Sequence, residues 1–453
     1  DRIVIGSNNK NEIKIMKKLV ILGGGISGIG AALLAKKNGY DVFVSDKSII
    51  SEKEVLTNND IKWEEGTHSI EEIMTASEVV KSPGIPDSVD VIKRIKEKGI
   101  SVISEVEFAY RFTNAKIVAI TGSNGKTTTT LLIGHILEKA GYDVLVAGNI
   151  GTGFAKSISE RDYDYIVLEL SSFQLDGIKD FKADIAILLN ITPDHLDRYE
   201  NRFENYIKSK LRITNNQNEN DVFIYNYDDK NIREKSNTKA KMIPFSLNKE
   251  FENEGAFYKN NKININLNNN EMTIQDLALQ GKHNVYNSMA AAVASRVLEV
   301  KDFIIRQSLQ DFKNIDHRLE HVINVHGIEF INDSKATNIN SVWFALESMH
   351  KDTIWIVGGI DKGNDYSELL ELVDEKVKAI VCIGQNTDNI HKYFKSHVDN
   401  IVNANSMNEA VGFSYQLAEK GDVVLLSPAC ASFDMFSNFE HRGTEFKKSV
   451  RSL

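Results

Sequence analysis

Two hydrophobic periods alternate along the chain. Short, continuous β-branched runs end in Gly- or Asp-rich turns, and longer stretches with apolar residues at helical spacing follow. Runs of this kind suit strands buried on both faces of a parallel sheet. The first set comprises Lys18–Leu22, an Ala/Leu-rich helix, a strand at 42–45, and Val79-Val80-Lys81 entering a rigid loop at Ser82-Pro83-Gly84-Ile85-Pro86. A helix from about Asp87 and a strand at 100–103 complete it. A second set opens at 117–120 and continues through strands at 144–147, 165–170 and 185–190 and a helix at 203–213. Next come an Asn-rich region with β-like pieces at 222–225 and Lys262–Leu267, then an Ala-rich helix at 288–298. The pattern restarts near His317. Strands are expected at Ile328–Asn332, 354–357, 379–383 and Val423–Leu426, with helices near 339–349, 366–376, 387–396 and 407–419. The fold class predicted is α/β in three domains: Rossmann-like at 16–110, a P-loop-type domain with a mostly parallel sheet at 111–314, and Rossmann-like again at 315–453. Residues 1–15 precede Met16 and the first strand, and are read as an N-terminal extension.

Composition adds mainly exclusions. With 42% apolar and 26% charged residues among 453, the chain can build sizeable cores. Its net charge of −9 argues against nonspecific nucleic-acid binding, which depends on neutralising phosphates. The two cysteines, Cys382 and Cys430, form no CxxC and indicate neither a disulfide framework nor a zinc site. No apolar run approaches the roughly 18 residues needed to span a bilayer, and the first fifteen residues lack the order of a secretory signal. A cytoplasmic location without membrane insertion is expected.

Candidate chemistry lies where strands end. Thr121-Gly122-Ser123-Asn124-Gly125-Lys126-Thr127-Thr128 joins a strand to a helix. Its glycines admit backbone N–H groups to a phosphate, Lys126 can reach the terminal phosphates, and Thr127 can offer a hydroxyl to Mg²⁺. Ile120 stands where the general motif has its first glycine, so the loop is a shortened variant. Glu169 ends an apolar strand beside it and is a natural magnesium ligand, or else an ordinary N-cap carboxylate. His195 follows a strand end within Thr192-Pro193-Asp194-His195-Leu196-Asp197, which favours a site role over a packed core histidine. Lys208, Lys210 and Arg212 read, on spacing alone, as a solvated basic face. Gly23, Gly25 and Gly28, with Asp46 about 20 positions on, match a dinucleotide fingerprint. That fingerprint fits NAD, any other pyrophosphate, or close helix–strand packing alone. Asn284 and Asn287 can cap their helix or bond a base.

Together these stretches resemble the Mur ligases, the ATP-dependent amide-forming enzymes of peptidoglycan precursor synthesis. The motifs are 121–128, Leu-Glu-Leu-Ser-Ser-Phe-Gln-Leu at 168–175, Asn-Ile-Thr-Pro-Asp-His-Leu-Asp-Arg-Tyr at 190–199, Gly-Lys-His-Asn at 281–284, Asn-Asp-Ser-Lys-Ala-Thr-Asn at 332–338, and Ser-Pro-Ala-Cys-Ala-Ser-Phe-Asp-Met-Phe-Ser-Asn-Phe-Glu-His-Arg-Gly at 427–443. The last two are the specific ones. The resemblance implies that ATP phosphorylates the carboxylate of UDP-N-acetylmuramoyl-L-alanine and that D-glutamate attacks the resulting acyl phosphate.

By the same resemblance, Gly122, Ser123, Asn124, Gly125, Lys126, Thr127, Thr128, Asn284, Asn287, Arg318, Asp333 and Lys335 bind ATP. Ile26, Ser27, Asp46, Ser82, Gly84, Asn149, Gln174 and His195 bind the UDP substrate. Thr337, Lys362, Ser432, Phe433 and Phe439 surround D-glutamate. Lys126, Glu169, His195 and Lys210 are the catalytic set, and Thr127, Glu169, His195 and Lys210 as a carbamate hold two Mg²⁺ ions, with Mn²⁺ as a substitute. Relatives often carry Thr-Arg where Lys47-Ser48 follow Asp46. A monomer that closes its domains around the acyl phosphate is expected. Another Mur ligase or a folylpolyglutamate synthase-like ligase, a dehydrogenase using the first fingerprint, and a nucleotide-gated binding module remain the alternatives.

Overall fold

The computed structural model describes residues 17–150, 153–279, 281–312, 317–361 and 363–453. The expected N-terminal extension and Lys362 lie outside the described residues. Among those described, three sheets form, with continuous apolar strands of the kind the sequence pattern predicts at their centres. The first has the order Lys62–Glu65, Asp41–Asp46, Lys18–Leu22, Glu78–Lys81, Ser101–Ile103, all parallel. Helix Ile26–Lys37 covers one face, and helices Ile70–Ile73 and Asp90–Glu97 cover the other. The order in which strands are added reverses between Lys18–Leu22 and Glu78–Lys81, where open α/β sheets place their ligand crevice. A Cβ on Gly28 would lie 1.8 Å from the Gly23 carbonyl oxygen, so only glycine lets this helix start against the turn.

The second sheet runs Asn270–Ile274, Lys262–Leu267, Gly255–Lys259, Lys241–Ser246, Val222–Asn226, Ile185–Leu188, Lys116–Thr121, Tyr165–Glu169, Val144–Gly148. It is parallel except for its last two sequence strands, which return as antiparallel hairpins. The Asn-rich region thus extends this sheet, as expected. The third sheet has the order Glu320–Val325, Ile328–Asn332, Val423–Leu426, Thr353–Val357, Val377–Ile383, Asn400–Ala404, parallel except for the first strand. The described residues divide into two compact units. One holds the first two sheets, with Tyr286–Leu309; the other holds the third sheet, with 277–285.

Some elements differ from the sequence pattern. The helix expected from about Asp87 begins at Asp90. Asp87 stays in the loop, where it pairs with Lys96 at 2.6 Å and Lys81 at 3.1 Å. Strands Glu320–Val325 and Asn400–Ala404 and helix Phe439–Arg451 were not expected. Both strands are sheet edges, and polar residues interrupt their apolar runs. Cys382 and Cys430 are free and buried. No helix among the described residues is long and apolar enough to cross a membrane.

Candidate active site

The phosphate loop is built by the strand Lys116–Thr121 and the helix Lys126–Lys139. Gly125, the N-cap, takes φ +82°, and a Cβ there would meet Asn287 Oδ1 at 2.3 Å. Asn190 clamps the loop from the neighbouring strand end. Its Oδ1 accepts the Asn124 N–H at 2.8 Å, its Nδ2 donates to the Asn124 carbonyl at 3.1 Å, and its own carbonyl accepts the Ser123 N–H at 2.9 Å. Ser123 Oγ donates to the Thr192 carbonyl at 2.9 Å and lies 3.2 Å from the Tyr206 hydroxyl. The loop is therefore fixed from outside before any anion arrives. Lys126 Nζ folds back on the carbonyls of Gly122 and Ser123, at 2.8 Å each.

Glu169 converges on this loop as the strand pattern predicted. It is buried, and its Oε2 accepts from Thr127 Oγ1 at 2.7 Å while Oε1 accepts from Asn149 Nδ2 at 2.9 Å. A hydroxyl and a carboxylate side by side are hard oxygen donors, suited to a magnesium ion that takes its remaining ligands from phosphate and water. No group of three or more His, Cys, Asp or Glu side chains able to hold a metal occurs among the described residues. The donor set fits an ion shared with a nucleotide rather than a protein-only cage.

Lys210 is where spacing alone misled. The supposed basic face turns inward at this residue, which is 1% exposed. Its Nζ donates to the Gly122 carbonyl at 2.8 Å, the same oxygen that Lys126 reaches, and lies 4.8 Å from the centre of the Tyr206 ring. Burial, reinforced by the Lys126 charge, holds its pKa well below that of an ordinary lysine; Asp194, Glu169 and Asp176 offset this only in part. His195 is half-exposed, with φ +52°, at the start of the turn Leu196–Tyr199. Its ring meets Phe173 edge-on at 5.2 Å, and its Nε2 is 3.7 Å from Asp194 Oδ2. Gln174 closes a capping box with Ser171 at the start of Ser172–Asp176, and this fixes Phe173.

The first sheet adds the glycine turn and the proline loop. Asp46 accepts the Gly24 N–H at 2.6 Å and the Ser48 N–H at 2.7 Å, so it first of all ties the second strand to the turn. Ile26 is exposed, with Ser27 beside it, and a Cβ on Gly153 would sit 3.4 Å from Ile26. Arg198 joins the two halves. Its guanidinium stacks 4.4 Å from the Phe173 ring centre and donates to the carbonyls of Pro83 at 3.3 Å and Gly84 at 3.4 Å. Arg198 thereby ties the proline loop at Pro83-Gly84 to Phe173, whose ring also meets His195. Asn190, Arg198 and Tyr206 were not among the expected site residues, although the first two lie inside the quoted 190–199 motif.

In the second unit, Asp333 is buried and accepts from Ser427 Oγ at 2.9 Å and Leu319 N–H at 3.3 Å. Burial raises its pKa to about 7, against the pull of Arg318. Burial likewise lowers His283 to about 4, helped by Arg318. Ser432 is buried, Thr337 exposed, Phe433 70% exposed, and Lys335 Nζ lies 5.2 Å from the Phe439 ring centre. The loops that follow Ile328–Asn332, Thr353–Val357 and Val423–Leu426 are stitched together by Ala429 N–H to Ala336 O at 2.9 Å, Gly358 N–H to Pro428 O at 2.9 Å and Ile360 N–H to Ala431 O at 2.8 Å. A cavity of about 560 Å³ opens beside them, lined by Gly359, Asp361, Gln385, Asn389, Lys392 and Asp434. Asn284 belongs to this unit and Asn287 to the first.

A phosphate loop with a converging carboxylate and a buried amine beside it, in a chain of three α/β sheets, defines a nucleotide-dependent group-transfer enzyme. Models of three domains match the chain: the Mur ligase MurD-like N-terminal domain over residues 17–104, the Mur ligase middle domain over 120–295 and the Mur ligase glutamate ligase domain over 317–430. The chain belongs to the Mur ligases, and its activity is ATP-dependent ligation in peptidoglycan synthesis. It is 54% identical to the UDP-N-acetylmuramoylalanine–D-glutamate ligase of Christiangramia forsetii, covering 96% of this chain and 100% of that one. The protein of the same name from Bacteroides fragilis is 50% identical, over 97% and 100%. Among solved structures, the UDP-N-acetylmuramate–alanine ligase of Thermotoga maritima superposes with a TM-score of 0.62 at 18% identity, covering 96% of this chain and 99% of that one. A pseudomurein peptide ligase type C from Methanothermus fervidus gives 0.60 at 21%, with the same coverage. These two likenesses establish the fold.

Proposed function

We propose that this chain joins D-glutamate to UDP-N-acetylmuramoyl-L-alanine, in the cytoplasm and as a monomer. The observation that carries the chemistry is the phosphate loop with Glu169 and the buried Lys210 around it. An oxygen of the substrate carboxylate attacks the γ-phosphorus, the bond to ADP breaks, and an acyl phosphate forms. The amine of D-glutamate then attacks the acyl carbon. The tetrahedral adduct expels phosphate, the amine gives up its surplus protons, and an amide remains.

Several negative charges meet at the first step, so cationic groups must be placed there beforehand. Lys126 is poised for this, since its present acceptors are the loop's own carbonyls and a γ-phosphate outbids them. The N–H groups of 122–128 and the helix N-terminus cradle the β- and γ-phosphates. Asn287, against Gly125, fits a contact to the nucleotide, and Asn284, Arg318, Asp333 and Lys335 are the nucleotide-binding residues of the second unit in this reading. Ile26, Ser27, Asp46, Ser82 and Gly84 hold the UDP part, and Asn149, Gln174 and His195 the end that reacts. Thr337, Ser432, Phe433 and Phe439 take D-glutamate, with Lys362 as partner to one of its carboxylates.

Thr127 and Glu169 would hold one Mg²⁺, or Mn²⁺ in its place, and His195 with a carbamylated Lys210 a second. The metal supplies neutralisation of phosphate charge. The depressed pKa of Lys210 supports the carbamate, because only a neutral amine adds carbon dioxide, releasing one proton. The test is product analysis: with ATP, UDP-N-acetylmuramoyl-L-alanine and D-glutamate, mass spectrometry should find one added glutamyl residue in amide linkage. Product formed equally without D-glutamate, or ADP formed with no amide, overturns the reading.

A further inference from the structure

Arg442 is among the largest fully buried side chains, 1% exposed, and the chemistry above leaves it without a role. It projects from helix Phe439–Arg451, an element separate from the three strand-end loops. Its Nε donates to Ser334 Oγ at 3.0 Å, one terminal nitrogen to the Ser334 carbonyl at 2.8 Å, and the other to the Cys430 carbonyl at 3.0 Å, with the Gly358 carbonyl at 3.5 Å. Ser334 Oγ donates onward to the Phe439 carbonyl at 2.8 Å. One planar group therefore reaches the loops that follow Ile328–Asn332, Thr353–Val357 and Val423–Leu426.

The arrangement is expensive. Burial pulls the guanidinium pKa down to about 10, partly restored by Cys430, Asp434 and Asp333, so it remains a cation at neutral pH. Its hydrogen-bond acceptors are carbonyls and one hydroxyl, with no carboxylate among them. An apolar side chain of similar volume would avoid the desolvation cost. The loops already share three backbone bonds, so holding them together does not by itself require a charge. What arginine adds is a rigid fork that fixes several acceptors at once, and a positive charge beneath them.

We propose that Arg442 is a positioning residue for the amino-acid substrate: through Ser334, Gly358 and Cys430 it fixes the loops that carry Thr337 and Ser432 and the start of the helix that carries Phe439, and it places a positive charge beneath them that favours a dicarboxylic amino acid. The inference rests on the D-glutamate reading. It is tested in the full chain by steady-state kinetics of Arg442→Met, Arg442→Lys and Ser334→Ala, varying each substrate in turn. Arg442→Met should raise KM for D-glutamate about tenfold or more, through loss of charge-assisted bonds. KM for UDP-N-acetylmuramoyl-L-alanine, whose residues lie in the other unit, should stay within about twofold.

Arg442→Lys should recover part of the loss, because it keeps the charge. Ser334→Ala removes one tether and keeps the arginine, so it carries the test if Arg442→Met fails to fold; a rise of about threefold in the same KM is expected. An unchanged KM for D-glutamate in Ser334→Ala, or a parallel change in all KM values with lowered thermal stability, overturns the inference. A folded parent without D-glutamate-dependent turnover overturns the underlying reading and the inference with it.

Discussion

Gly125→Ala probes the geometry of the phosphate loop. Two costs can be separated. The backbone conformation, φ +82°, costs a non-glycine residue about 1–3 kcal/mol. The new Cβ would also sit 2.3 Å from Asn287 Oδ1, whose side chain is 3% exposed and accepts from Thr129 Oγ1 at 3.3 Å. Moving it aside breaks that bond and disturbs a packed neighbour, about 1 kcal/mol more. If the loop shifts to relieve both, the N–H groups of 125–128 leave their phosphate positions and ATP affinity falls by about 30-fold or more. Isothermal titration with ATP measures it. The same substitution in an Asn287→Ala background should cost about 1 kcal/mol less, because the clash is gone while the dihedral remains. Parent-like ATP affinity in Gly125→Ala, or equal costs in the two backgrounds, would refute this account of the loop.

Three further outcomes follow from the structure. Lys210→Ala should lose nearly all turnover and regain part of it with millimolar short carboxylic acids that stand in for a carbamate; parent-like rates would remove the lysine from the mechanism. Arg198→Ala should raise KM for the UDP substrate several-fold while leaving ATP affinity intact, since it releases the Pro83–Gly84 carbonyls from Phe173; equal effects on both ligands would count against that path. Asp333 titrates near 7 when folded and near 4 when unfolded, so the folded state holds the extra proton between these values. Its contribution to stability is present below about pH 4 and is lost as pH rises to 7, and Asp333→Asn should flatten that slope in hydrogen exchange at Ile328–Asn332.

The strands were legible because burial on both faces of a parallel sheet leaves an uninterrupted apolar run, as at Ile185–Leu188. Asn400–Ala404 and Glu320–Val325 were not, because an edge strand carries polar residues that break the run. The phosphate loop and Glu169 could be placed from strand, turn and helix order alone. Lys210 and Arg442 could not. A buried cation has the same letter as a solvated one, and only its three-dimensional surroundings reveal that its amine or guanidinium faces carbonyl oxygens. Asn190 left a weak signal as the residue ending the strand next to the loop. Asp46 was recognised as part of a fingerprint, but spacing could not show that both its oxygens are engaged by backbone N–H groups.

The most direct test is phosphate release from ATP by the full chain with UDP-N-acetylmuramoyl-L-alanine and each amino acid in turn. The account predicts release that depends on both the UDP substrate and D-glutamate, in a one-to-one ratio with amide product, and little with L-glutamate or L-lysine. Release driven by L-glutamate or L-lysine but not by D-glutamate would contradict it.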